Sequence, residues 1–198
     1  ALMIKGEGWI DSHQNLNMTV IPCHAYDHQT RYKLPVAPSP NLKSETAILM
    51  YPSLVFFEGT VVSVGRGTSY PFEVYGHPKL KTGSFTFTPT PSPGASQPKL
   101  NGQACFGQSF VKVDPFNLRK RHALNILPLL NAYSEFTHSE SSPFFLENLF
   151  FDKLAGTDKL RKAILDGKSE EEIRDSWQKG LKEFESIRGK YLLYADAS

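Results

Sequence analysis

Apolar residues in the last third of the chain recur at helical spacing. After His122 one predicted face carries Leu124, Leu127, Leu130 and Phe136, which is typical of a helix. A further short helix is predicted over residues 157–167, ending at a glycine. Ser169 and Glu172 have the spacing of a capping box, so they predict the start of a long helix reaching Ile187. We expect its apolar stripe to lie in the core; the stripe comprises Ile173, Trp177, Leu181, Phe184 and Ile187.

The first two thirds instead alternate strand-like stretches with loops. β-favouring residues predict strands at 16–21, 54–57, 72–75, 85–88 and 107–113. Residues 43–50 predict a helix, with Asn41 as its N-cap and Pro52 as a stop or kink. The Pro- and Ser-rich segment 89–98 predicts an exposed loop. The sequence therefore predicts one α+β unit, residues 1–198, with a mixed β-sheet, Pro/Gly-rich loops and a helical C-terminal third.

Charge and hydropathy narrow the range of partners. Lys and Arg number 22 against 20 Asp and Glu, a net charge of +2, so no overall field attracts nucleic acid or anionic lipid. The most apolar stretch, 47–57, is interrupted by Pro52 and is shorter than the ~20 residues that span a membrane. We therefore expect no nucleic-acid partner, no membrane span and no cofactor. No secretory signal is recognisable, and because residue 1 is not Met we expect residues to be missing upstream.

The cysteines, two histidines and a short basic run are further candidates for a disulfide, a metal site and an anion-binding surface. Cys23 and Cys105 leave two possibilities open, one disulfide or two buried free thiols. His24 and His28 are four residues apart, but the zincin Glu is absent between them, so we expect loop hydrogen bonds and no metal site. The basic run 119–122 is expected to be solvated, with contact to an acidic partner as the alternative.

The polar, glycine-rich stretch 58–68 is the strongest candidate for a functional surface. It combines one carboxylate, one guanidinium, three hydroxyls and three glycines. Glycine lets a ligand approach the main chain, Glu58 can accept hydrogen bonds from hydroxyls, and Arg66 can bind a carboxylate. Sugars suit this set, whereas the glycine spacing does not match a phosphate-binding loop. The alternative is that Glu58 and Arg66 pair only to brace the loop.

A series of short motifs runs through the chain in a defined order. They are PSPN at 38–41, YP at 51–52, FEGT at 57–60, SVGRGT at 63–68, PF at 71–72, GHP at 76–78, FDKLAGT at 151–157 and KGLKEF at 179–184. In this order they resemble the exo-β-N-acetylmuramidase family, long catalogued as a domain of unknown function. The resemblance spans almost the whole chain.

The resemblance implies an enzyme that removes N-acetylmuramic acid from the non-reducing end of peptidoglycan fragments. Its cleft would lie between a Rossmann-like N-terminal domain and a smaller C-terminal domain, and this chain resembles only the second. The missing N-terminal domain would be its partner within the same polypeptide and would supply the catalytic carboxylates. We therefore expect no catalytic residue here, with Glu58 the only candidate and Glu73 less convincing, and expect the chain alone to be inactive. The resemblance also implies a periplasmic or extracellular location.

On this interpretation the chain forms one wall of a cleft for a peptidoglycan-derived saccharide. Arg66 is expected to pair with the lactyl carboxylate of muramic acid, while Glu58 and Asn41 bind hydroxyl or acetamido groups. The predicted substrate-binding set is completed by residues that fix the loop, namely Thr60, Ser63 and Thr68.

Two other interpretations stay open at this point. The chain could be a noncatalytic glycan-binding module, with Tyr70 and Tyr75 as stacking platforms. It could also be a structural docking domain, in which the loop is covered by its own polypeptide and Glu58 and Arg66 are fully satisfied.

Overall fold

The computed structural model describes residues 1–10, 17–139 and 142–194. Residue contacts divide the chain into two compact units. The larger, Leu34–Ile173, is called the main unit here; the other, Ala1–Lys33 with Arg174–Ser198, is called the terminal unit. The expectation of a single domain that lacks an N-terminal partner stays a prediction.

Helices and a small sheet make up the regular structure of the described residues. The helices are α1 Leu2–Gly6, α2 Glu45–Leu54, α3 Pro115–Arg119, α4 Leu127–Ser139, α5 Phe150–Ala155, α6 Lys159–Leu165 and α7 Glu170–Gly189. The strands are β1 Val74–His77, β2 Phe85–Phe87 and β3 Cys105–Ser109. A 3₁₀ helix, Val55–Gly59, follows α2 directly. The α+β class and the helical C-terminal third are confirmed. In the described part of the chain no helix is long and apolar enough to cross a membrane.

The three strands pair in the order β1-β3-β2. Both pairings are antiparallel, so the sheet is antiparallel rather than mixed. The strand predicted at 85–88 is confirmed, while those predicted at 72–75 and 107–113 are displaced to β1 and β3. The start of β1 is delayed because Phe72 has a φ of 59°, in the left-handed region that an extended strand does not contain.

The predicted strand at 54–57 is wrong, because the chain there remains helical. Leu54, Phe56 and Phe57 are all buried, whereas a half-buried strand would alternate between buried and exposed. The Phe57 ring stacks on Tyr75 with centroids 4.7 Å apart, and Phe56 packs on Phe151 at 5.7 Å. Long-range aromatic packing therefore outweighs the local preference for strand.

Helix α2 starts later and ends later than predicted. Its N-cap is Ser44, whose Oγ accepts a hydrogen bond from Ala47 N at 2.9 Å, so Asn41 is not the cap. The helix continues through Pro52 to Leu54. The strand predicted at 16–21 is also wrong where it can be seen, since residues 17–21 are irregular; residue 16 lies outside the described ranges.

Helix α7 is amphipathic as predicted, but its apolar stripe is not all core. The capping box forms, with Ser169 N donating to Glu172 Oε2 at 2.8 Å and Glu172 N to Ser169 Oγ at 3.1 Å. Ile173 is 1% exposed, yet Leu181 and Phe184 are 48% and 43% exposed. The helix passes into the terminal unit after Ile173, where the other described helix, α1, has only five residues. Leu2, Ile4 and Trp9 of the same unit are exposed as well, at 41%, 42% and 54%.

Candidate functional site

The stretch 58–68 starts from a fully buried anchor. Phe57, in the 3₁₀ helix, is 0% exposed and immediately precedes Glu58. Beyond the helix, Val61 N donates to Phe144 O at 2.9 Å, and Leu146 N donates to Gly59 O at 3.0 Å. These bonds fix the main chain on both sides of Thr60, so the core determines where the Glu58 side chain begins.

The remainder of the stretch is a closed turn resting on the sheet. Ser63 and Gly76 exchange two main-chain hydrogen bonds of 2.9 Å, and Phe72 N donates to Val64 O at 2.8 Å. Gly65 and Gly67 have φ of 75° and 82°, which explains glycine at both positions. Arg66 lies between them and is therefore carried by a tightly defined main chain.

Arg66 and Glu58 form an ion pair, with Nη1 and Oε2 3.1 Å apart. The second terminal nitrogen of Arg66 donates to Gly94 O at 3.1 Å, and Asn41 Nδ2 donates to the same oxygen at 2.9 Å. The Arg66 and Glu58 side chains are 38% and 24% exposed. Asn41, Glu58 and Arg66 are thus brought together, and the Glu58–Arg66 ion pair remains open to solvent.

The three hydroxyl residues of the predicted set serve the loop itself. Thr60 and Ser63 are buried. Thr60 Oγ1 donates to Phe57 O at 2.9 Å and accepts from Val62 N, and Ser63 Oγ accepts from Gly65 N at 3.2 Å. Thr68 Oγ1 donates to Gly65 O at 2.6 Å. These bonds agree with the expected loop-fixing role; direct contact with a substrate stays a prediction.

Two cavities border the ion pair. The first, which we call the loop cavity, has a volume of about 420 Å³ and is lined by Glu58, Ser63, Arg66 and the segment 94–99. The second, which we call the aromatic cavity, has about 270 Å³ and is lined by Asn41, Tyr51, Glu58, Arg66, Phe72 and Phe150, among others. Ligand sites for small molecules are concave, with volumes of roughly 300 to 1,000 Å³, a range that includes the loop cavity. Glu58 and Arg66 lie on the walls of both cavities.

The segment 89–98 is less exposed than predicted, because it packs against the Arg66 turn. Thr90 N donates to Gly67 O at 2.9 Å, and Gly94 O accepts from Arg66 and Asn41. Pro89, Ala95 and Pro98 are buried. The segment therefore forms one side of the loop cavity.

Lys99 is a residue of this site that the sequence did not reveal. Its Nζ lies within hydrogen-bond distance of four main-chain oxygens, those of Phe57 at 2.9 Å, Val62 at 3.1 Å, Glu58 at 3.4 Å and Thr60. Burial lowers the pKa of Lys99 to about 8, with Glu58 acting to raise it and Arg66 to lower it. Because its partners are main-chain atoms 37 to 42 residues away, no local sequence signal marks this lysine.

Two of the other candidate residues are structural. Glu73 is 7% exposed and accepts a hydrogen bond from Ser44 Oγ at 2.7 Å. Tyr75 is 2% exposed, so it is wrong as a stacking platform; its ring is already stacked on Phe57. Tyr70 is 38% exposed and stays available.

The predictions for the two cysteines and for His24 and His28 have different outcomes. Cys23 and Cys105 are both free, the first exposed and the second buried, which matches neither of the two alternatives in full. His24 and His28 lie in exposed turns. Among the residues that the structure describes, no three His, Cys, Asp or Glu side chains are grouped to hold a metal ion.

The basic run 119–122 is partly engaged within the main unit. Arg119 donates to Glu45 Oε1 through Nε at 2.9 Å and Nη2 at 2.6 Å. Lys120 Nζ lies 4.2 Å from the centre of the Phe116 ring. Arg121 and His122 are exposed, as expected of a solvated run.

Comparison with known proteins decides the family. The model of the family described as "Exo-beta-N-acetylmuramidase NamZ, C-terminal" matches residues 49–194. The chain belongs to this family. The matched span contains the ion pair, both of the glycines beside Arg66, and Lys99. The resemblance inferred from the ordered motifs is confirmed.

Individual relatives support the same family membership. Peptidoglycan beta-N-acetylmuramidase NamZ of Bacillus subtilis (strain 168) is 34% identical over 178 residues, covering 80% of this chain and 40% of that protein. The crystal structure of a DUF1343 family protein from Bacteroides fragilis NCTC 9343 has a TM-score of 0.90 and 42% identity, covering 99% of this chain and 54% of that one. A second such protein from the same organism has a TM-score of 0.74 at 18% identity, which shows the fold alone. The chain spans about half the length of these relatives or less.

Proposed function

We propose that this chain is the cleft-forming C-terminal part of a glycoside hydrolase that removes N-acetylmuramic acid from the non-reducing ends of peptidoglycan fragments outside the cytoplasm. The observation that carries the proposal is the Glu58–Arg66 pair, 3.1 Å apart, exposed to two cavities. Family membership and the activity for which the Bacillus subtilis relative is named support the same substrate class.

Arg66 is the group that would distinguish muramic acid from other amino sugars. Muramic acid carries a lactyl carboxylate, and a guanidinium has five N–H donors in a planar fork that matches a carboxylate. Both of its terminal nitrogens already donate one hydrogen bond, Nη1 to Glu58 and Nη2 to Gly94 O, and Arg66 lines both cavities. A carboxylate in the loop cavity would bind the remaining donors of Arg66.

Glu58 and Asn41 would bind the sugar ring and its acetamido group. The Glu58 carboxylate has more acceptor sites than its bond to Arg66 uses, so it can also accept from sugar hydroxyls. Asn41 donates through Nδ2 to Gly94 O, which leaves the amide oxygen suited to an acetamido N–H. Both residues border the aromatic cavity, whose apolar lining suits the acetyl methyl group.

Hydrolysis would need a group from elsewhere in the polypeptide. Glycosidases of the common type use two carboxyl groups about 5 to 9.5 Å apart. Glu58 is the carboxylate that lines both cavities in the described part of the chain. We therefore propose that the chain alone binds the saccharide weakly and does not cleave it, and that the catalytic carboxyls belong to the longer protein.

The binding role is tested by comparing two sugars in Arg66→Ala, with Arg121→Ala as a control that removes the same charge from an exposed site. Since hydrogen bonds to charged groups contribute ~1.5 to 3 kcal/mol, Arg66→Ala should weaken N-acetylmuramic acid binding about 10- to 100-fold. Binding of N-acetylglucosamine, which lacks the lactyl carboxylate, should hardly change. Calorimetry gives both affinities. An equal loss for both sugars, or no loss for either, contradicts the assignment of Arg66.

Hydrolysis is tested on a chromogenic muramide, with the chain alone and with a longer protein extended upstream. Release by the extended protein only is the expected result. Release by the chain alone would place the catalytic carboxyls within residues 1–198. Saccharide binding with no release by either protein would favour the noncatalytic glycan-binding module.

A further inference from the structure

Lys99 has an unusual set of partners for a half-buried cation. Its ammonium contacts main-chain oxygens on both sides of Gly59, those of Phe57, Glu58, Thr60 and Val62. An ammonium has three protons, so this set occupies all of them. Lys99 therefore has no donor left for a ligand, although it lines the loop cavity.

Phe57 O also accepts hydrogen bonds from Thr60 N and Thr60 Oγ1, whereas Lys99 is the donor that serves the oxygens of Glu58, Thr60 and Val62. The last carbonyl oxygens of a helix accept no hydrogen bond from within that helix, and they carry partial negative charge. Phe57 and Glu58 are in the closing turn of the 3₁₀ helix Val55–Gly59, and Thr60 and Val62 follow it in fully buried positions. A cation at this point replaces water that burial has excluded.

The segment that Lys99 holds also carries the candidate site. Glu58 projects from it, and Arg66, its ion-pair partner, follows within the same turn. Burial lowers the pKa of Lys99 to about 8, so the side chain is still protonated at pH 7. Lys99, Glu58 and Arg66 all line the loop cavity.

We propose that Lys99 is a positioning residue, which binds the main-chain oxygens of residues 57–62 and thereby sets the place of the Glu58–Arg66 pair on the cavity wall. The effect on the loop follows from these contacts alone. The effect on saccharide affinity rests on the proposed function. The two effects are therefore measured separately.

The effect on the loop is measured by hydrogen exchange in Lys99→Met, with Lys112→Met as the exposed control. The informative amides are those of Val61, Val62, Gly65 and Thr68, which are hydrogen-bonded within or next to the held segment. We expect them to exchange at least about tenfold faster, given the cost of unpaired buried carbonyls, while amides of β2 and β3 keep their rates. No change at the four amides, or an equal rise throughout the main unit, overturns the proposal.

The effect on affinity is measured by combining Lys99→Met with Arg66→Ala. Lys99→Met should weaken N-acetylmuramic acid binding about tenfold in the otherwise native chain and have little further effect in the Arg66→Ala background, because residues that act through one another are not additive. The same loss in both backgrounds overturns the coupling. If Arg66→Ala itself leaves affinity unchanged, the proposed function fails and the exchange experiment alone decides the role of Lys99.

Should Lys99→Met not fold, Lys99→Gln replaces it in both experiments. Glutamine keeps two amide protons and can satisfy part of the set of oxygens. We then expect a smaller rise in exchange at the same four amides. An unchanged rate at all four would again overturn the proposal.

Discussion

Gly59 is the position where the candidate site depends most directly on close packing of main chains. A Cβ placed on Gly59 would lie 2.5 Å from both the N and the Cα of Phe151. Those are main-chain atoms of α5 and cannot rotate away as a side chain can. Leu146 N donates to Gly59 O at 3.0 Å, so the stretch that leads into α5 is also bonded to Gly59. In Gly59→Ala, either α5 or the segment after the 3₁₀ helix must move.

The cost can be estimated from the volume added. Extra methyl groups in a well-packed interior typically cost about 1 to 3 kcal/mol. In a chain of this size each kcal/mol lowers the melting temperature by roughly 2 to 4 °C. Gly59→Ala should therefore melt about 2 to 12 °C below the native protein, and it should also weaken N-acetylmuramic acid binding because Glu58 is the adjacent residue.

Gly180→Ala is the matched control, since the same methyl group there meets no atom within 4 Å. Gly180 lies inside α7, where Ala is favoured over Gly by about 0.8 to 1.0 kcal/mol. The control should thus be at least as stable as the native protein. Thermal and urea denaturation followed by circular dichroism measure both variants. A Gly59→Ala protein as stable as Gly180→Ala would refute the close approach of Gly59 to Phe151.

Two further predictions concern the main unit and the thiols. Ser44→Ala should lower the free energy of unfolding by about 1 to 2 kcal/mol in urea denaturation, because it removes the N-cap of α2 and a hydrogen bond to buried Glu73. The control Ser186→Ala, at an exposed position, should change that free energy little. Equal losses in the two variants would contradict the capping role of Ser44. Iodoacetamide should modify exposed Cys23 in the folded protein, while Cys105, which is buried and whose pKa burial raises to about 11, should react only in denaturant. Mass spectrometry counts the labels, and rapid double labelling without denaturant would contradict the burial of Cys105.

The parts of the fold that sequence patterns predicted well depend on local signals. The capping box at Ser169 and Glu172 and the glycine end of α6 involve neighbours within four residues. The strand predicted at 54–57 was wrong because the conformation there depends on packing against aromatic rings elsewhere in the chain, those of Tyr75 and Phe151. In α7 the spacing predicted the helix, but spacing does not reveal whether another element covers Leu181 and Phe184.

Some residues of the candidate site could likewise be predicted from the sequence, and one could not. Glu58 and Arg66 are eight residues apart in a glycine-rich turn, so side-chain chemistry was enough to associate them. Asn41 entered through side-chain chemistry alone, and the structure brings it to the pair through Gly94. The role of Lys99 could not be predicted from the sequence. It binds main-chain oxygens, which every residue type has, so its partners leave no pattern of side chains.

The Gly94 carbonyl joins segments that are distant in sequence, Asn41 at a separation of 53 residues and Arg66 at 28. Closing such long loops costs chain entropy before any contact repays it, and topologies rich in distant contacts fold slowly. The cavity wall should accordingly form late in folding, after the helices. Transplanting the 58–68 stretch into another scaffold would not carry the wall with it, since Asn41 and Gly94 belong to two other parts of the chain.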